Sequence, residues 1–117
     1  MASQAKIDYD DEYDILYAYT GTRVRDSFEV NDFVIDFSMD NKVVGIEIMD
    51  ASKTISGLVG KKIGAAVLSK IDRASISVIP GKDMAYIFLT VSAPGERAKT
   101  ELRIPFAAPA IVMKAPN

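Results

Sequence analysis

Two pairs of turn-forming residues, Asn31-Asp32 and Asp40-Asn41, interrupt runs of alternating apolar residues, and they constrain this chain more than any other feature. SFEV (27 to 30) and FVIDF (33 to 37) flank the first pair, and FVIDFSM and KVVGIEIM flank the second. Asn and Asp tolerate the left-handed backbone of a type I′ turn, so two tight hairpins in succession are expected, forming an antiparallel meander. Closing the chain at those turns pairs Val30 with Phe33, Phe28 with Ile35, Phe37 with Val44, Ile35 with Ile46 and Phe33 with Ile48. Every one of these residues is apolar. The opposite face then holds Ser27, Glu29, Val34, Asp36, Gly45 and Glu47. A slip of one residue would carry Asp36 or Glu47 to the apolar side, so turn chemistry and side-chain alternation agree on a single register.

The remaining elements follow from local signals. ILYAYT (15 to 20) reads as a strand after the acidic turn DDEYD, in which Asp10 and Asp14 are expected to hold backbone N–H groups. Asp50 is placed to cap a helix whose stripe is Ala51, Ile55, Leu58 and Val59 and which stops at Gly60. KKIGAAVLSKI (61 to 71) reads as one or two further helical turns with Ile63, Val67 and Ile71 on one side. Strands return at RASISVI (73 to 79), MAYIFLTVSA (84 to 93) and TELRIPF (100 to 106), joined by turns at Gly81-Lys82-Asp83 and Pro94-Gly95-Glu96. In the last strand Leu102, Ile104 and Phe106 alternate with Glu101, Arg103 and Pro105, which predicts a half-exposed strand, and Pro105 places it at an edge. The fold expected is α+β: an antiparallel β-meander, one or two short helices, then a second antiparallel strand set sharing one core. With no linker or low-complexity tract, residues 1–117 are expected to form a single domain: a meander over 1–50, a helical connection over 51–71, strands over 72–106 and an extended tail over 107–117.

Composition excludes more chemistry than it supports. The chain has no cysteine and no histidine, which removes disulfides, thiolate nucleophiles, Ser-His-Asp catalysis and the usual zinc centres. No metal or cofactor is expected. The N-terminal residues MASQAKIDYDDEYD lack an apolar signal region, and no stretch approaches the roughly 20 apolar residues of a membrane span, so a cytoplasmic, prokaryotic-type protein without a membrane role is expected. Charge is divided unevenly: residues 1–50 carry 12 Asp/Glu and 4 Lys/Arg, while residues 51–117 carry 4 and 10. Neutralisation between the halves within one monomer is the plainer expectation, and a two-faced surface that favours self-association or a basic partner is the sharper one. A pI near 5.1 argues against nucleic acid, even with Lys61, Lys62, Lys70 and Arg73 close together in the sequence.

Three patterns bear on a site. On the polar face of the meander, Glu29 and Glu47 lie across Val34, with Asp36 diagonal to both and Gly45 beside it; this is a partner-contact face or, more simply, the solvated side of a sheet. The cluster Asp8, Asp10, Asp11, Glu12 and Asp14 lacks the glycine and the distal Glu of a calcium loop and reads as a turn. Gly57-Leu58-Val59-Gly60-Lys61-Lys62 is too short between its glycines for a phosphate loop, and Lys62 stands where Ser or Thr would hold magnesium.

Tyr9-Asp10, Asp14, Leu16-Tyr17, Glu29, Asp36 and the run Val43-Val44-Gly45-Ile46-Glu47-Ile48, closed by Asp50-Ala51-Ser52, resemble the small prokaryotic domain-of-unknown-function family 2283 over the first half of the chain. The resemblance implies a small β-rich fold and no assigned activity. It also implies a neighbouring small partner protein, because members are often encoded beside one in an arrangement like a toxin–antitoxin pair. The expected function is therefore a non-enzymatic protein-interaction module, the acidic partner of a small basic protein or a homo-oligomer. Partner-contact residues would be Glu29, Asp36, Gly45 and Glu47, with Asp10, Asp14, Asn31, Asp32, Asp40, Asn41 and Asp50 serving turns and caps. The alternative is a small carboxylate- or metal-dependent hydrolase using Asp36 with Glu47 or Glu29.

Overall fold

The structure, a computed structural model, describes residues 2–81, 84–94 and 100–106, with Arg103 the described side chain of the last segment. The expected tail at 107–117, the turns at Lys82-Asp83 and Gly95-Glu96, and the side-chain alternation of Leu102, Ile104 and Phe106 lie outside the described residues. The described residues form eight strands: β1 (Ser3–Asp10), β2 (Ile15–Tyr19), β3 (Val24–Val30), β4 (Phe33–Ser38), β5 (Val43–Ile48), β6 (Arg73–Pro80), β7 (Ala85–Ser92) and β8 (Thr100–Phe106). Between β5 and β6 lie two helices, α1 (Ala51–Val59) and α2 (Ala65–Leu68). All strand pairings are antiparallel, in the order β3-β4-β5-β2-β1-β6-β7-β8. This is the α+β meander, short helices and second strand set read from the sequence, with β8 and its Pro105 at one edge and β3 at the other.

β1 joins the two strand sets. Its first residues pair with β6 (Ser3↔Ile76, Gln4↔Ser75, Ala5↔Ala74) and its remainder pairs with β2 from Lys6↔Tyr19 to Asp10↔Ile15. The strand therefore changes partner between Ala5 and Lys6. One apolar cluster runs under both sets, taking Leu16, Ile35, Phe37, Ile46 and Ile48 from the first half and Ala74, Ile76, Ile87, Leu89 and Val91 from the second. Ile55 of α1 and Leu68 of α2 are buried against it. Removing such apolar surface from water at about 25 cal/mol per Å² is the main favourable term in a sheet of this kind.

The predicted register holds along the strand bodies: Val30↔Phe33, Phe28↔Ile35, Ile35↔Ile46 and Phe33↔Ile48 are all paired as expected. It fails at one point. Phe37 pairs with Val43 and not Val44, because the β4–β5 connection is a three-residue loop closed by Ser38 N–H on Lys42 O, with Asn41 left-handed at φ 62°. A bulge restores the register before Asp36↔Gly45, leaving Val44 as the extra residue and burying Val43 and Val44 together. At the first turn Asn31 is left-handed (φ 55°) but Asp32 is not, so the loop has the expected length without the type I′ geometry, which needs positive φ at both residues.

The helices differ in detail from the expected stripes. Ala51 and Ile55 are buried but Leu58 is exposed, and in the second helical stretch Ile63 and Leu68 face the core while Val67 points outward. Gly60, left-handed at φ 74°, ends α1 with its N–H on Ser56 O. Ser56 Oγ then accepts from Ile63 N–H at 2.7 Å, which folds the glycine-rich connection back onto the helix. No helix among the described residues is long and apolar enough to cross a membrane.

Among the described residues no ion pair joins the two halves. Both ion pairs found there, Arg25 with Asp26 (2.9 Å) and Lys42 with Asp40 (3.6 Å), are local and lie within the first half. In the strand order β1 to β5 occupy one side of the sheet and β6 to β8 the other.

Candidate functional site

The pairing of β1 through β5 lays side chains on the outer face in two adjacent rows. One row runs Asp8, Tyr17, Glu47, Val34, Glu29; the other runs Lys6, Tyr19, Gly45, Asp36, Ser27. Within the second row Asp36 is buried, 7% exposed, although it lies on the polar side of the sheet. Its Oδ1 accepts from Ser27 Oγ at 2.6 Å and its Oδ2 from the Tyr17 hydroxyl at 2.7 Å. A buried carboxylate needs such donors, because leaving one oxygen unmatched costs about 1–3 kcal/mol or more.

Gly45 makes this arrangement possible. A Cβ at that position would sit 2.5 Å from Asp36 Oδ2 and 3.0 Å from Tyr17 Oη, so any side chain would displace the pair. Tyr17, on β2, leans over the glycine from the diagonal position, and its ring stacks on Tyr19 with centroids 5.0 Å apart and planes 17° apart. Burial raises the Tyr17 phenol above its ordinary range, helped by its bond to Asp36 and by the charges of Asp36 and Glu47. The phenol stays protonated and remains a donor.

A second cluster fixes the start of α1. Asp14, left-handed at φ 54°, accepts from the Tyr9 hydroxyl (2.7 Å), from Ser52 Oγ (2.6 Å) and from Ser52 N–H (3.1 and 3.2 Å), and its backbone oxygen accepts from Ala51 N–H at 2.8 Å. Burial alone would raise the Asp14 carboxyl, but the bonds from Ser52 and Tyr9 outweigh it and hold it below the ordinary value. Tyr9 is pushed up to about 12 by burial and then by its bond to Asp14 and the nearby acidic charges. Asp50 occupies the N-cap position with φ 48° but makes no side-chain capping bond, so the expected cap is corrected: the carboxylate that caps α1 is Asp14.

The other turn residues have ordinary roles. Asp10 Oδ1 accepts from the N–H groups of Glu12 (3.0 Å) and Tyr13 (3.2 Å), and Asp32 O accepts from Met49 N–H. Asp40 accepts from Ser38 Oγ, which with the Lys42 charge keeps its carboxyl low. Asn41 Oδ1 is a buried oxygen with no partner among the described residues.

The acidic face is thus neither uniformly solvated nor a carboxylate pair. Glu29 is exposed, Glu47 is half-buried, and Asp36 is enclosed by hydroxyl donors in place of a second carboxylate. Among the described residues no group of three or more acidic side chains is placed to hold a metal ion. Sequence reasoning named Asp36, Gly45, Glu47 and Asp14 but missed Tyr17 and Ser27 as the donors to Asp36, Tyr19 as the ring stacked on Tyr17, and Tyr9 and Ser52 as the donors to Asp14. The usable signal was parity: Tyr17, Tyr19, Gly45 and Glu47 share one face once β2 lies beside β5.

Fold and site together define an antiparallel α+β protein whose first half is organised by two tyrosine–aspartate–serine hydrogen-bond clusters, one of them seated over a glycine. Residues 6–52, which contain both clusters, match the family described as protein of unknown function (DUF2283). The uncharacterized protein MJ0789 of Methanocaldococcus jannaschii is 45% identical over 51 residues, 43% of this chain and 44% of that protein, so the chain spans less than half the length of the curated relative it matches. No solved structure matches.

Proposed function

We propose that this protein is a non-enzymatic interaction module that holds a basic protein partner on the outer face of β1 to β5, as the acidic member of an antitoxin-like pair in the cytoplasm. The observation that carries this reading is the row Asp8, Tyr17, Glu47, Val34, Glu29, in which Asp8, Glu47 and Glu29 have no cationic partner among the described residues. Strands in a sheet are spaced about 4.8 Å apart, so carboxylates on alternate strands repeat at roughly 10 Å. That repeat matches basic residues seven apart on a helix rising about 1.5 Å per residue. Tyr17 and Tyr19, stacked and pinned through Asp36, add a stiff aromatic surface suited to a guanidinium or the stem of a lysine. In the hydrolase alternative Asp36 would act with Glu47 or Glu29 while each of its oxygens accepts from a hydroxyl, Tyr17 on Oδ2 and Ser27 on Oδ1.

The test is cross-linked affinity capture from the native host with the wild-type protein and with a Glu29→Gln, Glu47→Gln variant. A basic protein retained stoichiometrically by the wild type and lost from the double variant supports the reading. A partner held equally by both, or none held by either, overturns it.

A further inference from the structure

We propose that the groove lined by Gln4, Asp72, Arg73, Ser75, Thr90 and Ser92 binds a tetrahedral oxyanion of the phosphate class. The cavity measures about 620 Å³, and Ala5 and Ala74, the pair at which β1 leaves β6, also line it. None of its residues lies in the matched segment 6–52, and the groove is independent of the acidic face.

Strand pairing brings the donors together. Gln4, Ser75 and Thr90 form one row across β1, β6 and β7, and Arg73 and Ser92 form the next row. Directly paired side chains in a sheet stand about 4.5–5.5 Å apart, and successive positions on one face lie about 7 Å apart along a strand. The five donor side chains therefore share one face of three adjacent strands, within a patch roughly 10 Å by 7 Å. None of them is hydrogen-bonded or ion-paired to another side chain among the described residues, and Ser75, Thr90 and Ser92 are half-buried.

The donor set discriminates between anions. A planar carboxylate has two oxygens and is satisfied by a guanidinium fork alone, leaving three hydroxyls and an amide unused. A tetrahedral phosphate offers oxygens in several directions, and Arg73 with hydroxyls on two strands and the Gln4 amide meets them together. Arg73 is the lining cation, backed by the positive charge of the second half, and Asp72 at the rim opposes an anion.

Nuclear magnetic resonance titration of the full chain with inorganic phosphate, at fixed pH and ionic strength, tests the site. Saturable shifts are expected at the amides of residues 73–75 and 90–92. Arg73→Gln should weaken binding about tenfold or more, with Arg73→Lys between it and the wild type. Asp72→Asn should tighten it by about twofold or more. Glycerol 3-phosphate distinguishes a phosphate ester from the free ion, and saturable binding of either supports the site. Shifts that stay linear, an unchanged response in Arg73→Gln, weaker binding in Asp72→Asn, or acetate binding as tightly as phosphate would each overturn it. The Glu29→Gln, Glu47→Gln variant should bind phosphate as the wild type does, so failure here and failure of the interaction reading are separable.

Discussion

Tyr17 and Asp36, nineteen residues apart and on strands that do not adjoin, meet at 2.7 Å across the bare backbone of Gly45. The glycine is the weakest strand former in its run, and its place is set by the pair above it. Gly45→Ala should therefore destabilise the fold by about 1–3 kcal/mol, as overpacking does, because the new Cβ falls 2.5 Å from a buried carboxylate oxygen. Gly57→Ala provides the opposite sign: it lies within α1, nothing stands within 4 Å of its added Cβ, and the change should stabilise by about 0.5–1 kcal/mol. Urea unfolding midpoints of the two variants measure both. A Gly45→Ala protein as stable as the wild type would refute the steric account.

Removing the donor tests the same unit from the other side. Tyr17→Phe keeps the stacked ring but strips Oδ2 of Asp36 of its partner, and Ser27→Ala does the same to Oδ1. Each should cost about 1–3 kcal/mol. The double variant should cost less than the two singles combined if the carboxylate relaxes toward solvent once one donor is gone, and a double-mutant cycle reads that coupling.

The Asp14 cluster makes stability depend on pH at both ends of the scale. The folded Asp14 carboxyl lies below its ordinary value of 3.8, so its contribution is complete above that value and is lost as pH falls through the folded pKa. Tyr9 behaves in the reverse sense. With its phenol raised from 10.0 to about 12, its contribution is complete below pH 10.0 and is lost as pH rises toward about 12. Asp14→Asn should flatten the acid limb of a plot of unfolding midpoint against pH, and Tyr9→Phe the alkaline limb between 10.0 and about 12. An unchanged alkaline limb in Tyr9→Phe would show that the Tyr9 phenol is not raised in the folded protein.

How far the sequence revealed this arrangement depended on separation along the chain. Asp36 opposite Gly45 and Ile35 opposite Ile46 were readable because hairpin pairing is local and side chains alternate with period two. Val44 was misplaced because the loop takes in Met39, an apolar residue that carries no turn signal, and so holds three residues where two were expected. β1 gave little strand signal, since Lys6, Asp8 and Asp10 fill one of its faces, and its β6 partners lie about seventy residues away. The Tyr17–Asp36 bond needs β2 beside β5, and the Asp14–Ser52 contact spans 38 residues. Both pairs fall inside the stretch whose resemblance to the family was recognised, and the structure supplies a physical reason for the scattered residues that carried it: Tyr9, Asp14 and Ser52 form one unit, and Tyr17, Asp36 and Gly45 form the other.

Asp50 and Asp14 separate two roles that one cap residue usually combines. Asp50 supplies the chain reversal into α1, with φ 48° and no capping bond from its side chain, while Asp14 supplies the carboxylate from a distant turn. A left-handed backbone costs an L-residue about 1–2 kcal/mol relative to glycine, so Asp50→Gly should leave stability unchanged or raise it by up to about 1 kcal/mol. Asp14→Ala removes the acceptor of the Ser52 and Tyr9 bonds together and should cost about 2 kcal/mol, the upper end of measured cap losses. Thermal unfolding of the two variants gives the comparison directly. If Asp50→Gly proves the more damaging, the side chain of Asp50 caps the helix after all and the assignment of that role to Asp14 fails.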